Sequence, residues 1–255
     1  MTRHDLRVNR IAPLTWGGSL GATCALVAAI WPSISDSISK AMQSYPQSVK
    51  QAFGIVSLDT VEKYVDAEML SLIAPLALAF FSVRCVTRAI VGAEEDGHLD
   101  SLLSLPLSRR VLVASSFIST ALVLAAIIFV AWGMTFAAGS LAGTHISGSV
   151  MAAGFANLWP LSMTFAGLAL LAAGVLHRRA AVTAIATGTL IAMYIVDLLG
   201  KVSPDLEPLR SYSAFRWYGS AVQNGFDPLH ALALTLAAVL LAAGGMELFR
   251  RRDVL

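Results

Sequence analysis

Six long apolar stretches constrain this chain more than any other feature of it. They run from Pro13 to Trp31, Met69 to Val91, Val111 to Ala138, Val150 to Leu176, Ala180 to Leu199 and Leu229 to Phe249. A bilayer core is about 30 Å thick, and a helix rising 1.5 Å per residue crosses it with about 20 apolar residues. Each stretch meets or nearly meets that length. Between them there is too little polar material for a second, water-soluble core. Charged residues are 13% of the chain, against about 25% in soluble domains. The reading is an all-α membrane protein, a bundle of six transmembrane helices in a single domain, residues 1–255. The first stretch has no Ala-x-Ala-like exit and five more follow it, so it reads as a retained span rather than a cleaved leader.

Basic residues set the orientation. Arg3, Arg7, Arg10, Arg84, Arg88, Arg109, Arg110, Arg178, Arg179, Arg250, Arg251 and Arg252 fall on one side, twelve of the eighteen Lys and Arg. The other side carries six, outnumbered there by nine acids. Both termini are therefore expected in the cytoplasm. On the outer side, Ile34, Ile38 and Met42, then Val49 and Phe53, recur at helical spacing. They predict two short amphipathic helices on the membrane surface. Pro204 and Pro208 keep the segment 200–228 from forming one straight helix, and its Tyr212, Phe215, Trp217 and Tyr218 suit headgroup depth. It reads as a short re-entrant or surface element. The turn His177-Arg178-Arg179 is tight and makes an antiparallel hairpin of its neighbours.

The largest cytoplasmic piece is Gly92 to Arg110. Three acids, Glu94, Glu95 and Asp96, open it. Leu99, Leu102 and Leu103 then fall at i, i+3 and i+4, one apolar stripe on a short helix. Pro106 ends that helix and Ser108 can cap the next. Two uses fit such a helix: shielding its leucines in headgroups, or filling a groove on a cytoplasmic partner.

The pattern Glu-Glu-x-Gly-x-Leu-x-x-Leu-Leu-x-x-Pro-x-Ser-Arg, placed after the second of six spans, resembles the membrane subunit of ABC-2 type transporters. The close Leu248-Phe249-Arg250-Arg251-Arg252-Asp253 resembles that family's usual ending. His98 stands where the family usually has Thr or Ser, a departure that bears on helix capping more than on docking. The approach Asp66 to Val91 is most similar to permeases of actinobacterial drug and antibiotic export. The resemblance implies a plasma-membrane exporter subunit for a hydrophobic or amphipathic substrate. It implies a separate ATPase dimer that carries ATP and Mg, and a second permease copy or a homologous one. By position, Glu94, Glu95, Gly97, Leu99, Leu102, Leu103, Pro106 and Arg109 would form the element coupled to the ATPase. Thr2 to Arg10 would correspond to a connecting helix, although its arginines equally suit anionic headgroups.

The chain carries no Gly-x-x-x-x-Gly-Lys-[Ser/Thr] of its own, since Val202 follows Gly200-Lys201. No cofactor or metal is expected on it, and no catalytic residue. The histidines at 4, 98, 145, 177 and 230 are scattered, and His-Glu-x-x-His is absent. An intramembrane enzyme is the weakest alternative; a channel or assembly factor without ATP coupling is the stronger one. Nucleic acid is not an expected partner, whereas membrane lipid is. Trp132, Met134, Phe136, Asn157, Ser162 and Thr164 are candidates to line a substrate path, although such residues also pack and anchor. Asp197 is expected at a solvated interface near the outer boundary, and Glu247 in a local ion pair with Arg250 and Arg251. Gly17-x-x-x-Gly21 would permit close helix packing.

Overall fold

The computed structural model describes residues 11–44, 58–95 and 109–251. Helix α1 opens with a wide turn, Pro13–Gly17, and continues through Gly18–Ser44. Pro13 sits at its first position, where the missing N–H costs nothing. Next come α2 (Val61–Val65, extended by a wide turn Asp66–Leu70) and α3 (Ile73–Thr87, extended through Arg88–Gly92 and Ala93–Glu95). The long helices α4 (Arg109–Leu141), α5 (Gly148–Ala173) and α6 (Arg179–Val202) follow. A 3-10 turn at Pro204–Tyr212 leads to the short α7 (Ala214–Tyr218) and α8 (Ala221–Asn224), and α9 (Pro228–Arg251) closes the chain.

Among the described residues, six helices are long and apolar enough to cross a membrane: α1, α3, α4, α5, α6 and α9. Their boundaries depart from the sequence reading in two places. Helix α1 does not stop at Trp31; it runs through Pro32 to Ser44, so Ile34, Ile38 and Met42 continue the first helix instead of starting a separate one, while its span-like part ends at Ser37. Val49 and Phe53 lie outside the described residues. The second stretch does not start at Met69 as one rod. Leu72 takes φ −135° and ψ −64°, so α2 breaks from α3 at Ser71–Leu72. The Asp66 carbonyl accepts the Ser71 N–H there at 2.8 Å, which satisfies one donor at the break.

Helix α5 is the axis of the bundle. Of its most apolar stretch, 72% is buried, against 22% for α6. It packs along α9, α3, α4 and α6, while α1 lies along α4. The contact of α5 with α9 is backbone to backbone. A Cβ on Gly167 would stand 2.5 Å from the Ala238 carbonyl oxygen, and one on Gly245 would stand 2.5 Å from the Leu170 carbonyl. Small residues let helices approach this closely where lipid removes the hydrophobic drive to associate. The Gly17/Gly21 pair does the same for α1 against α4: a Cβ on Gly17 would lie 2.9 Å from the Ile127 carbonyl oxygen.

Indole N–H groups sew α4 to α5. Trp132 Nε1 donates to the Gly148 carbonyl at 3.3 Å, and Trp159 Nε1 to the Ala121 carbonyl at 3.1 Å. Three buried hydroxyls are satisfied within their own helices, Ser82 on Leu78, Thr87 on Val83 and Thr135 on Ala131. That is the economical solution where no water is at hand. Six helices of alternating direction put residues 13, 95, 109 and 251 at one end of the bundle. The connections 58–72, 142–147 and 203–227 lie at the other, the far end.

Candidate functional site

At the end that holds residues 13 and 251, Glu95 closes α3. Its Oε1 accepts the backbone N–H of Arg179 at 2.9 Å, and its Oε2 lies 3.9 Å from Arg179 Nε. Arg179 is the first residue of α6, so a carboxylate meets an orphan N–H at the positive end of that helix. The last turn of α3 is thereby tied to the first turn of α6. A second tie joins α4 to α9, where Arg110 Nη2 lies 3.4 Å from Glu247 Oε2. Glu247 also binds Arg250 and Arg251, the local pair the sequence suggests. Glu94 is half-buried beside Glu95. Arg109 begins α4. Gly97, Leu99, Leu102, Leu103 and Pro106 lie outside the described residues.

The six path candidates do not share one surface. Trp132 stacks on Phe136, with ring centroids 6.0 Å apart, and meets Phe129 at a tilt, 5.7 Å away. Met134 is packed at the α1–α4 contact, beside Gly21. Thr164 Oγ1 donates to the Pro160 carbonyl at 2.9 Å and lies 3.0 Å from the Leu234 carbonyl, joining α5 to α9. Ser162 is fully buried and its hydroxyl has no partner. Asn157 alone of the six reaches the far-end cavity.

That cavity, about 800 Å³, opens between α5, α6, the 3-10 turn, α7 and the start of α9. Asp197 forms one wall. It is 2% exposed rather than solvated. Its Oδ2 takes Lys201 Nζ at 2.8 Å and its Oδ1 takes Arg210 Nε at 3.0 Å. Depth along α6 alone would leave this residue solvated; the folded-back 3-10 turn covers it and brings Arg210 to it. Gly200 admits this, because the Cγ and Cδ of Arg210 lie where a Cβ on residue 200 would be. Trp217 meets His230 edge-on at 5.1 Å, and Tyr194 meets Phe215 edge-on at 5.3 Å.

A buried polar clasp holds α2 to the segment after α6. Asp66 is 2% exposed. Its Oδ2 accepts from Ser220 Oγ at 2.6 Å and from Gln223 Nε2 at 3.1 Å. Burial pushes its carboxyl above the usual range; Ser220, Gln223 and the charge of Lys201 oppose that shift. The Tyr218 hydroxyl donates to the Leu70 carbonyl at 2.8 Å, and Asn157 Nδ2 donates to the Tyr218 carbonyl at 2.6 Å. Burial and the nearby Asp66 raise the Tyr218 phenol well above its ordinary value. Glu62 Oε1 takes the Ser147 N–H at 2.5 Å and so fixes the entrance of α5. Sequence reasoning missed these partners, which stand 61 to 157 positions apart along the chain. The only local hint was a cluster of acids, residues 59–68, just before an apolar run.

A comparison with known families matches residues 5–250 to the family described as "Multidrug efflux system permease Rv1217c, C-terminal domain". No curated protein matches the chain.

Proposed function

The chain belongs to this family of multidrug efflux permeases, and on that footing we propose that it is the membrane subunit of an ATP-driven exporter of the ABC-2 type. It works as a multi-pass protein of the plasma membrane with both termini in the cytoplasm. A hydrophobic or amphipathic compound is moved outward, and the energy comes from a separate ATPase dimer that holds ATP and Mg. A second permease copy, or a homologous one, completes the membrane half. The outward apolar faces of α6 and α9, with Ile185, Ile191, Leu236 and Leu240 exposed, suit lipid and such a partner.

The observation that carries the reading is the Glu95–Arg179 tie. It gives the 95–109 connection a mechanical route into the bundle. Force on that connection reaches α3 and α4 covalently and α6 through Glu95. In the proposed machine, Leu99, Leu102 and Leu103 fill a groove of the ATPase, Gly97 and Pro106 bound the helix, and Glu94 and Arg109 flank it. Apolar anchors buried at the centre of an interface dominate its affinity. Changing Leu102 and Leu103 together to Asp should abolish co-purification with the soluble ATPase of the native host and leave membrane insertion intact. If the ATPase still co-purifies, the coupling assignment is wrong.

A further inference from the structure

Arginines from two helices converge where α3 meets α6. A Cβ on Gly92 would stand 3.5 Å from Arg179 Nη1, 3.6 Å from Arg179 Cδ and 3.7 Å from Arg88 Cγ. Gly92 is buried, so one stem from each helix lies over the same bare stretch of backbone. Arg84 stands one turn from Arg88 on the same face of α3, and both are exposed. Arg178, also exposed, immediately precedes α6.

The acids of this corner are Glu94 and Glu95. Glu95 gives Oε1 to the backbone N–H of Arg179 and holds the Arg179 guanidinium only at 3.9 Å. Among the described residues, no carboxylate forms an ion pair with Arg84, Arg88 or Arg178. Arg110, Arg250 and Arg251 belong to Glu247 on the α4–α9 seam. With both acids counted, Arg84, Arg88, Arg178 and Arg179 outnumber them. Like charges brought together in this way call for an anion with several acceptor oxygens.

The surroundings say what carries that anion. Arg84 and Arg88 lie within Ile73–Glu95, a helix long and apolar enough to cross a membrane. Trp16, near the start of α1, meets Phe81 at 5.1 Å, three residues before Arg84. An indole near the start of a span suits headgroup depth, and basic pockets between spans at that depth bind anionic headgroups. Further along α6, Ile185 and Ile191 are exposed and offer an apolar track for acyl chains. We propose that the groove between α3 and α6 at Gly92 binds an anionic phospholipid, its phosphate held by Arg84, Arg88 and Arg179 and its acyl chains lying along α6. The site goes beyond the export reading and does not depend on it, because lipid occupancy is read without an ATPase or a transported compound.

The full chain is reconstituted in nanodiscs of equal phosphatidylglycerol and phosphatidylcholine, and native mass spectrometry reads which lipid stays on it. Retained phosphatidylglycerol should exceed phosphatidylcholine about ten-fold, as expected for one charged hydrogen-bonding pair. Arg84→Gln combined with Arg88→Gln should cut that ratio at least about five-fold, the effect of one basic residue at a membrane surface. Arg250→Gln combined with Arg251→Gln removes the same charge at the same end and should keep the ratio. Excess inorganic phosphate should not lower it, because the acyl chains hold the ligand. Equal retention of the two lipids overturns the proposal, as does a ratio that survives loss of Arg84 and Arg88, an equal fall in the Arg250 and Arg251 pair, or displacement by inorganic phosphate. If the double variant at 84 and 88 fails to fold, the two single variants and the native ratio decide the matter. A negative result leaves the export reading standing.

Discussion

Adding one methyl group to Gly245 should loosen the whole bundle. The new Cβ would stand 2.5 Å from the carbonyl carbon and oxygen of Leu170 and 2.7 Å from the Leu171 nitrogen. All three are backbone atoms, so no side chain can rotate away. Ordinary contact begins near 3.4 Å, so α5 and α9 must part by roughly 1 Å. A gap of that size forfeits about a quarter to a half of each dispersion contact along the seam. Overpacking of a close-packed site costs about 1–3 kcal/mol. The most buried helix of the chain is the one displaced, so the upper figure applies, about 3 kcal/mol. For a chain of this size that is about 6–12 °C in melting temperature. The assay is thermal unfolding of detergent-solubilised Gly245→Ala, followed by loss of the monodisperse chromatographic peak. Gly133→Ala and Gly188→Ala are the matched controls, because a Cβ at either meets nothing within 4 Å; both should melt within about 2 °C of the native chain. If Gly245→Ala melts with these controls, the helices do not touch backbone to backbone and the packing argument fails.

Other expectations follow from the polar contacts. Asp197→Asn leaves Lys201 and Arg210 without their shared carboxylate. Breaking a buried pair costs about 3–5 kcal/mol, and because both cations are partly exposed the loss should be near 3 kcal/mol, read by the same melting assay; an unchanged melt refutes it. Gly200→Ala should reproduce part of that loss by pushing the Arg210 stem off its seat. Asp66 has a folded-state pKa above its ordinary 3.8, so the folded chain holds the proton more tightly than the unfolded one. Its contribution is complete below that ordinary value and is lost as pH rises through the raised one. Melting temperatures across an acid-to-neutral series should therefore show Asp66→Asn gaining on the native chain as pH rises; the opposite trend sinks the assignment. Glu95→Gln removes the charge from the start of α6 and should cost about 0.3–1 kcal/mol, less at high salt.

The apolar runs made the six spans legible, because hydrocarbon admits few other solutions for a chain this poor in charge. Acids, a leucine stripe and a proline set Gly92 to Arg110 apart from the apolar pattern in the sequence, but residues 96–108 of it lie outside the described residues. What stayed hidden was contact between distant segments. Asp197 looked solvated because its neighbours in sequence end the span; its burial comes from Arg210 and a turn that folds back. Asp66 precedes an apolar run and reads as a surface acid until Ser220 and Gln223 enclose it. Among the path candidates, residue type suggested polarity in a span but not its destination: Thr164 spends its hydroxyl on backbone, whereas Asn157 opens onto the far-end cavity. Glycine spacing gave a fair hint at Gly17 and Gly21, whereas Gly167 and Gly245 lie on different helices and share no local pattern.

Helix α6 is fastened at its two tips and nearly bare along its shaft. Glu95 grips its first amide and Asp197 anchors its last turns, while Ile185, Ile191, Ile195 and Leu199 face outward between them. Polar joints of this kind pivot without surrendering much covered hydrocarbon, because little is covered. A rod mounted that way can tilt or roll as one piece while its neighbours keep their packing, and a push delivered at one tip arrives at the other as displacement of the cavity wall.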